Sequence, residues 1–273
     1  SLATAQDTTR TYFQSSGILK DIGIIQDGKK EGEWKFYYNN GELHATISYV
    51  NGKEEGAYIS YYNNGQVHET KTYKDGKLEG DLKAYHKDGE LLETVSYVNG
   101  KEEGEYVSYY TNGQIYKSRN YVGGKLDGEW IYYHHDGILL EIRNYKEGVE
   151  EGDWKSYFSF GDLFVSKTYA NGKLTGELKE YHGNGQLHKN EYYKDGKRSG
   201  KQFTFHGNGN KKTEANFDNG KLDGEFKSFY SNGKLQEIGF YKQNQQIGEW
   251  IYYHENGALE TVTTFVAGKK EGE

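Results

Sequence analysis

Gly28-Lys29-Lys30-Glu31-Gly32-Glu33-Trp34-Lys35-Phe36-Tyr37-Tyr38-Asn39-Asn40-Gly41-Glu42-Leu43, continued to Tyr49-Val50-Asn51-Gly52, is the stretch that decides the fold. Its glycines return at one fixed interval, that from Gly28 to Gly52. One column runs Gly17, Gly41, Gly65 and on to Gly257, a second Gly32, Gly56, Gly80 to Gly272, and a third Gly28, Gly52, Gly76 to Gly268, broken only by Asn244. Together they hold 32 of the 37 glycines. A fixed period of a few tens of residues along a whole chain marks a repeat array rather than a globular enzyme.

Two Asn-Gly pairs flank the second half of the unit, and Asn or Asp precedes most glycines of the Gly41 column, as at Asn64, Asp88, Asn112, Asp136 and Asn184. Such pairs tolerate two successive positive φ values, as a type I′ hairpin turn demands. The segments between turns are rich in Tyr, Val, Ile and Thr and carry no 3.6 period. Each repeat is therefore expected to be a β-hairpin, with Gly28, Gly32, Gly41, Gly52, Gly56 and Gly65 as structural turn glycines. The fold class is all-β: an elongated antiparallel β-hairpin repeat array. It forms a single-layer twisted meander of ten to eleven 24-residue repeats and roughly 22 strands, about 105 Å along its contour at ~4.8 Å per strand. Repeats start near 28, 52, 76, 100, 124, 148, 172, 196, 220 and 244, with partial repeats at both ends of 13–273.

The turns predict a register. Tyr38 opposes Leu43 and Trp34 opposes Ile47; past Asn51-Gly52, Val50 opposes Lys53 and Ile47 opposes Gly56. One face then collects the columns of Trp34, Phe36, Tyr38, Leu43, Ile47 and Tyr49. The other carries those of Lys35, Tyr37, His44, Thr46 and Ser48. Because the two segments of a repeat differ by two residues, either the strands slip or a bulge absorbs the difference, with the Gly32/Gly56 column as its seat.

Composition agrees. Only 34% of residues are hydrophobic, 27 residues are Tyr, and mean hydropathy is −1.00, which suits a stack whose units bury only their contacts with neighbours. There is no Pro, as a chain of paired strands requires, and no Cys, which removes disulfides and thiolate chemistry. The formal net charge is −7. An acidic chain without a Lys/Arg cluster is a poor binder of phosphate backbones, so no nucleic-acid partner is expected. No stretch approaches the length of a transmembrane helix, so no transmembrane segment is expected. The absence of Met points to a processed or trimmed product. Residues 1–12 read as a leader: Ala3-Thr4-Ala5 before Gln6 has the form of a signal-peptidase site. Export and cytoplasmic residence stay equally open. The last residues, Gly268 to Glu273, stop inside a repeat, so the natural chain is expected to continue.

The pattern G-K-x-x-G-x-W-x-x-Y-Y-x-N-G-x-L, seen from Gly28-Lys29 to Leu43 and again from Gly124-Lys125 to Gly137, resembles the bacterial variant of the MORN repeat over nearly the whole chain. That family is often labelled as the antitoxin part of toxin–antitoxin pairs, and related eukaryotic repeats scaffold proteins and membranes. The resemblance implies a non-catalytic, partner-binding rod and transfers no catalytic residue. A weaker similarity is to choline-binding repeats of cell walls. Their ligand cages need Trp at fixed places, whereas here Trp34, Trp130, Trp154 and Trp250 share one column with Tyr, Leu, Phe and Gln202.

The histidines obey the period. His86, His134, His182, His206 and His254 share the Tyr38 column, one repeat or roughly 9.6 Å apart at closest, too wide for ligands of one metal. There is no G-x-S-x-G elbow and no Walker-type loop. The chain is expected to be no enzyme, with no catalytic or metal residues and no cofactor. Carboxylates recur on loops at Glu54, Glu55, Glu79, Glu102, Glu103, Glu150 and Glu151, either as solubilising edge charges or as an acidic strip that steers a basic partner.

The departures from the repeat are the informative places. Phe160 replaces the turn asparagine, and Tyr157, Phe158, Phe160 and Phe164 crowd one hairpin tip. Phe is poor at positive φ and costly to leave in water, so the tip is expected to be a partner-binding anchor or to pack on itself. Gln243-Asn244 in place of Asn-Gly reads as drift in a terminal repeat. The expected function is a non-enzymatic scaffold for protein–protein interaction, antitoxin-like or exported. The alternative is a cell-envelope or glycan-binding module using the aromatic face. A protein partner is expected, its identity and the oligomeric state open; a glycan is possible.

Overall fold

The computed structural model describes residues 7–271, so Ala3-Thr4-Ala5 and Gly272 lie outside the described residues. All regular structure among those residues is antiparallel β, in 26 segments without a helix. The count exceeds the expected 22 partly because three strands break at the bulge glycine, as where Lys77–Leu78 parts from Gly80–Tyr85. No helix of the described residues is long and apolar enough to cross a membrane.

The chain divides into two compact units, Ser1–Gly137 and Ile138–Glu273. Within each, a strand pairs with the next along the chain. In the first, Lys29–Tyr37 pairs with Leu43–Val50, which pairs with Lys53–Tyr61. In the second, Lys221–Phe229 pairs with Leu235–Lys242 and that with Gln245–Tyr253. The all-β hairpin array read from the glycines is therefore the fold.

The two turns of a repeat differ in kind. At Asn51-Gly52 both residues have positive φ, 53° and 82°, and the turn is type I′ as expected. At Asn39-Asn40-Gly41 only Gly41 is positive, at 89°. There the Gly41 amide donates to Tyr38 O at 2.9 Å and the Tyr38 amide to Glu42 O at 2.8 Å. That is a three-residue loop, a type I turn closed by a glycine bulge, and it corrects the expected type I′ pair. Asn40 serves instead through its side chain: Oδ1 accepts the Glu42 amide at 3.1 Å.

The longer loop also corrects the register. Trp34 opposes Ile47 and Phe36 opposes Ala45, but pairing then steps to Tyr37 against Leu43, not Tyr38. His44 is left as the extra residue, and its ring meets Tyr38 at 4.5 Å. The Tyr38 and His44 columns, expected on opposite faces, therefore touch. On the other side, Val50 opposes Lys53 as read, but Ile47 opposes Tyr58 rather than Gly56. A bulge absorbs the two-residue difference at the Gly56 position, where φ is 79°.

This register lines up one buried row through each unit. In the first it runs Trp34, Ile47, Tyr58, Lys71, with Leu82–Val95 and Tyr106–Arg119–Trp130 farther along. Leu82, Val95 and Tyr106 of this row form a buried cluster with Tyr121. Cations in the row lie against rings: Lys71 4.5 Å from Tyr58, Arg119 4.1 Å from Tyr106. In the second unit, Lys167 lies 3.8 Å from Trp154. Gln202 fills the Trp column with an amide that brackets Tyr192, accepting its N–H at 3.0 Å and donating to its carbonyl at 2.9 Å. Lys211 stands in the Leu43 column, which is otherwise Leu, Val or Ile, and binds Glu214 at 2.7 Å. Gln243-Asn244 keeps the type I′ shape, and the Asn244 amide donates to Leu222 O as glycines of that column do, so the substitution preserves the turn.

Candidate functional site

Within each unit, four kinds of bond recur between one repeat and the next. The Gly52-column amide donates to a carbonyl of the preceding repeat, as Gly52 to Lys30 O at 2.9 Å. The Tyr38-column hydroxyl donates to a backbone carbonyl of the following repeat: Tyr38 to Tyr61 O at 2.7 Å, Tyr62 to Tyr85 O at 2.7 Å, Tyr110 to Tyr133 O at 2.8 Å. His206 makes the same contact, its Nε2 meeting Phe229 O at 2.9 Å, whereas His86 Nε2 is buried without a partner. The turn asparagines likewise reach forward, Asn64 Nδ2 to Lys87 O at 2.9 Å and Asn208 Nδ2 to Ser231 O at 2.7 Å.

The fourth bond uses carboxylates. Glu31, Glu55, Glu79, Glu103 and Glu151 accept the free turn amides of Asn51, Asp75, Asn99, Gly123 and Asn171 at 2.7–2.8 Å. Four of the seven candidate strip residues thus sit on the backbone of the next hairpin, a role missed in the sequence. Its signal was there: a carboxylate at a constant separation before each left-handed turn residue, as Glu31 before Asn51 and Glu55 before Asp75. Glu54, Glu102 and Glu150 occupy the preceding column and face none of these amides.

The rings of His182 and His188, from two different columns, lie 4.4 Å apart through the bulge that also joins Tyr38 to His44. Both rings are engaged, His182 Nε2 at 3.4 Å from Phe205 O and His188 Nδ1 at 3.0 Å from Glu180. Among the described residues no group of three or more His, Cys, Asp or Glu is placed to hold a metal ion.

The structure gathers the aromatic tip. Phe158 stacks on Phe160 at 5.0 Å and 6° and meets Phe164 at 4.8 Å. Phe160 remains 57% exposed and Phe164 36%. The φ of Phe160 is not positive, which corrects the expected strain: the residue before this glycine is an ordinary type I turn position. What Phe160 gives up is the asparagine amide that elsewhere bonds forward. Its ring instead edges Gly183, 3.8 Å from where a Cβ there would stand. Tyr157 belongs to the strand below, opposite Leu163.

A second departure lies in the same unit. Lys173, Lys194, Lys197 and Arg198 converge on a groove of about 510 Å³, beside Asp195 and Asp218. The expectation of no basic cluster is corrected, because the hairpin stack brings together bases that are scattered along the chain. Burial acts to lower the Arg198 pKa, but hydrogen bonds with Tyr193 and Glu191 outweigh it and hold the guanidinium above its ordinary value.

No curated protein matches the chain. Among solved structures, a GtfA/B complex bound to UDP and GlcNAc shares 18% identity at a TM-score of 0.20, over 42% of this chain and 22% of that one. TcdB2-TccC3-Cdc42 shares 13% at 0.21, over 99% and 18%. A Photorhabdus luminescens Tc holotoxin pore shares 13% at 0.18, over 97% and 18%. This chain thus spans about a fifth of the solved chains it matches, and likenesses this small carry no functional weight. The MORN repeat variant matches residues 30–51, 54–75, 78–99, 102–122, 126–147, 174–195, 198–219, 222–243 and 246–267, passing over the repeat that bears the aromatic tip. With well over half its length so matched, the chain belongs to the MORN repeat variant family.

Proposed function

We propose that this chain is a non-enzymatic repeat scaffold that binds another protein, with Phe158, Phe160 and Phe164 as the apolar anchor of the contact. The observation that carries the reading is Phe160. It discards a forward hydrogen bond made by other repeats, leaves a ring more than half in water, and lies in the repeat that the family pattern passes over. Exposed stacked aromatics at a tip are typical of binding anchors. An antitoxin acts by covering a partner's working surface, and the exposed rings of Phe160 and Phe164 would serve that form of the function. Glu54, Glu102 and Glu150, free of the turn amides, would steer a basic partner. The glycan reading is weaker, because the rings that would stack on sugars are already faced by Lys71, Arg119 and Lys167.

The test is Phe160→Asn, which restores the column's usual residue and so leaves the hairpin sound. An anchor of ordinary strength is worth about 2 kcal/mol, so partner affinity should drop roughly 30-fold. Equal recovery of partners by wild type and variant in pull-downs from the native host would sink the proposal.

A further inference from the structure

The turn carboxylates fail in three repeats, two of them consecutive, the third at Ile247 before the turn at Ala267. The position that holds Glu31, Glu55, Glu79, Glu103 and Glu151 holds Thr175 before the turn at Asp195 and Ser199 before the turn at Asn219. Asn219 still adopts the left-handed turn conformation, with φ 50°, and so does Asp195. The serine side chain is too short to stand where the glutamate carboxylates stand. The missing acceptor coincides with the basic groove: Ser199 and Asn219 line it together with the four bases. Arg198 is partly neutralised by Glu191 at 2.8 Å, which leaves three lysines against Asp195 and Asp218. The comparable groove at Asn51 has its own Glu55 in the wall and no such excess of bases.

We propose that the Ser199–Asn219 groove is a binding site for a carboxylate presented by an acidic segment of a partner protein. That carboxylate takes the position of the absent glutamate, accepts the Asn219 amide, and is screened by Lys194 and Lys197. The ligand chemistry is argued from the chain itself: the same amide in five other repeats is bound by a carboxylate at 2.7–2.8 Å. Lysines beside a backbone donor favour an anion in a charge-assisted hydrogen bond. The inference names the chemistry a partner would offer and rests on the scaffold reading only for the ligand being a protein.

The experiment is a titration of the full chain with a hexaglutamate peptide, followed by the Asn219 amide resonance and by calorimetry. Saturable binding with a shifted Asn219 resonance is expected. Ser199→Glu supplies the carboxylate internally, as the rest of the column does. It should keep the fold, protect the Asn219 amide from hydrogen exchange, and weaken hexaglutamate binding at least tenfold. Lys197→Gln should weaken binding without adding that protection. Absence of saturable binding, or undiminished binding by Ser199→Glu, overturns the site. Inorganic phosphate displacing hexaglutamate and binding more tightly, with the same Ser199→Glu sensitivity, overturns the carboxylate assignment in favour of a phosphoryl group. Loss of hexaglutamate binding leaves the Phe160 comparison untouched, so the two readings fail separately.

Discussion

Gly239 and Trp250 offer the sharpest test of the packing. Gly239 stands opposite Phe226 on one side and, in the same row, beneath the Trp250 indole. A Cβ built on Gly239 would lie 2.2 Å from Trp250 Cδ2 and 2.3 Å from Cε2, against an ordinary carbon contact of about 3.5–4 Å. The indole must therefore recede by well over an ångström. It has no room: Trp250 is 0% exposed and is ringed by Phe226, Tyr241 and Phe265. Full expulsion of an indole forfeits about 200 Å² of burial, roughly 5 kcal/mol at ~25 cal/mol/Å². Partial accommodation by strain costs about 1–3 kcal/mol. Gly239→Ala should thus destabilise by about 2–4 kcal/mol, read as a lowered midpoint in urea unfolding followed by tryptophan fluorescence. Gly207→Ala is the control. Its Cβ meets nothing within 4 Å and its φ is not positive, so it should be neutral or stabilise by up to about 1 kcal/mol through the unfolded chain. In a Trp250→Leu background, with the residue found at Leu82 and Leu178, Gly239→Ala should cost about 0.5 kcal/mol or less. A single Gly239→Ala variant within about 0.5 kcal/mol of wild type would refute the close approach.

Glu103→Ala should lower stability by about 1 kcal/mol and speed hydrogen exchange at the Gly123 amide it caps, while amides of other turns stay unchanged. Tyr62→Phe should cost about 1 kcal/mol by orphaning the Tyr85 carbonyl, and Tyr62→His should recover part of it, both read from thermal midpoints. Burial first, and then its hydrogen bond to Glu93, push the Tyr106 pKa up to about 12. Folding therefore favours its neutral form. The stability this contributes is complete below the unfolded value of 10.0 and is lost as pH rises through about 12. Tyr106→Phe should flatten that alkaline loss; an unchanged profile in pH-dependent unfolding would count against the assignment.

The hairpins were legible because three glycine columns, broken only at Asn244, mark places where the backbone takes positive φ. The bulge at Gly56 was legible in part: two unequal segments need either a slip of the strands or a bulge, and the pairing of Ile47 with Tyr58 decides for the bulge. The second turn was not. Asn40-Gly41 is compatible with a two-residue type I′ loop and with a three-residue loop using Asn40 as a side-chain acceptor, and only the pairing of Tyr37 with Leu43 separates them. That single step moved Tyr38 onto His44 and removed the supposed strain at Phe160. The carboxylates were misjudged for a different reason. A repeated acid on a loop looks like solubilising charge until the turn amide of the following hairpin is seen to take it as its acceptor. The crowding of phenylalanines at the tip could be read directly, because Phe158, Phe160 and Phe164 are near neighbours in sequence. The convergence of Lys173, Lys194 and Lys197 could not, because it depends on the stacking of successive hairpins.

The forward bonds described between copies point the same way along the chain, from side chains of one hairpin to the backbone of its successor, and none of them skips a copy. Gain or loss of one complete 24-residue block by genetic slippage would leave every surviving donor with its acceptor. A break inside a block would not. Severing the front leaves backbone amides and carbonyls without their side-chain partners, whereas severing the rear leaves carboxylates, tyrosine hydroxyls and asparagine amides, mobile side chains that water solvates well. The two ends are chemically unequal, and editing at the trailing end should cost less stability than editing at the leading one.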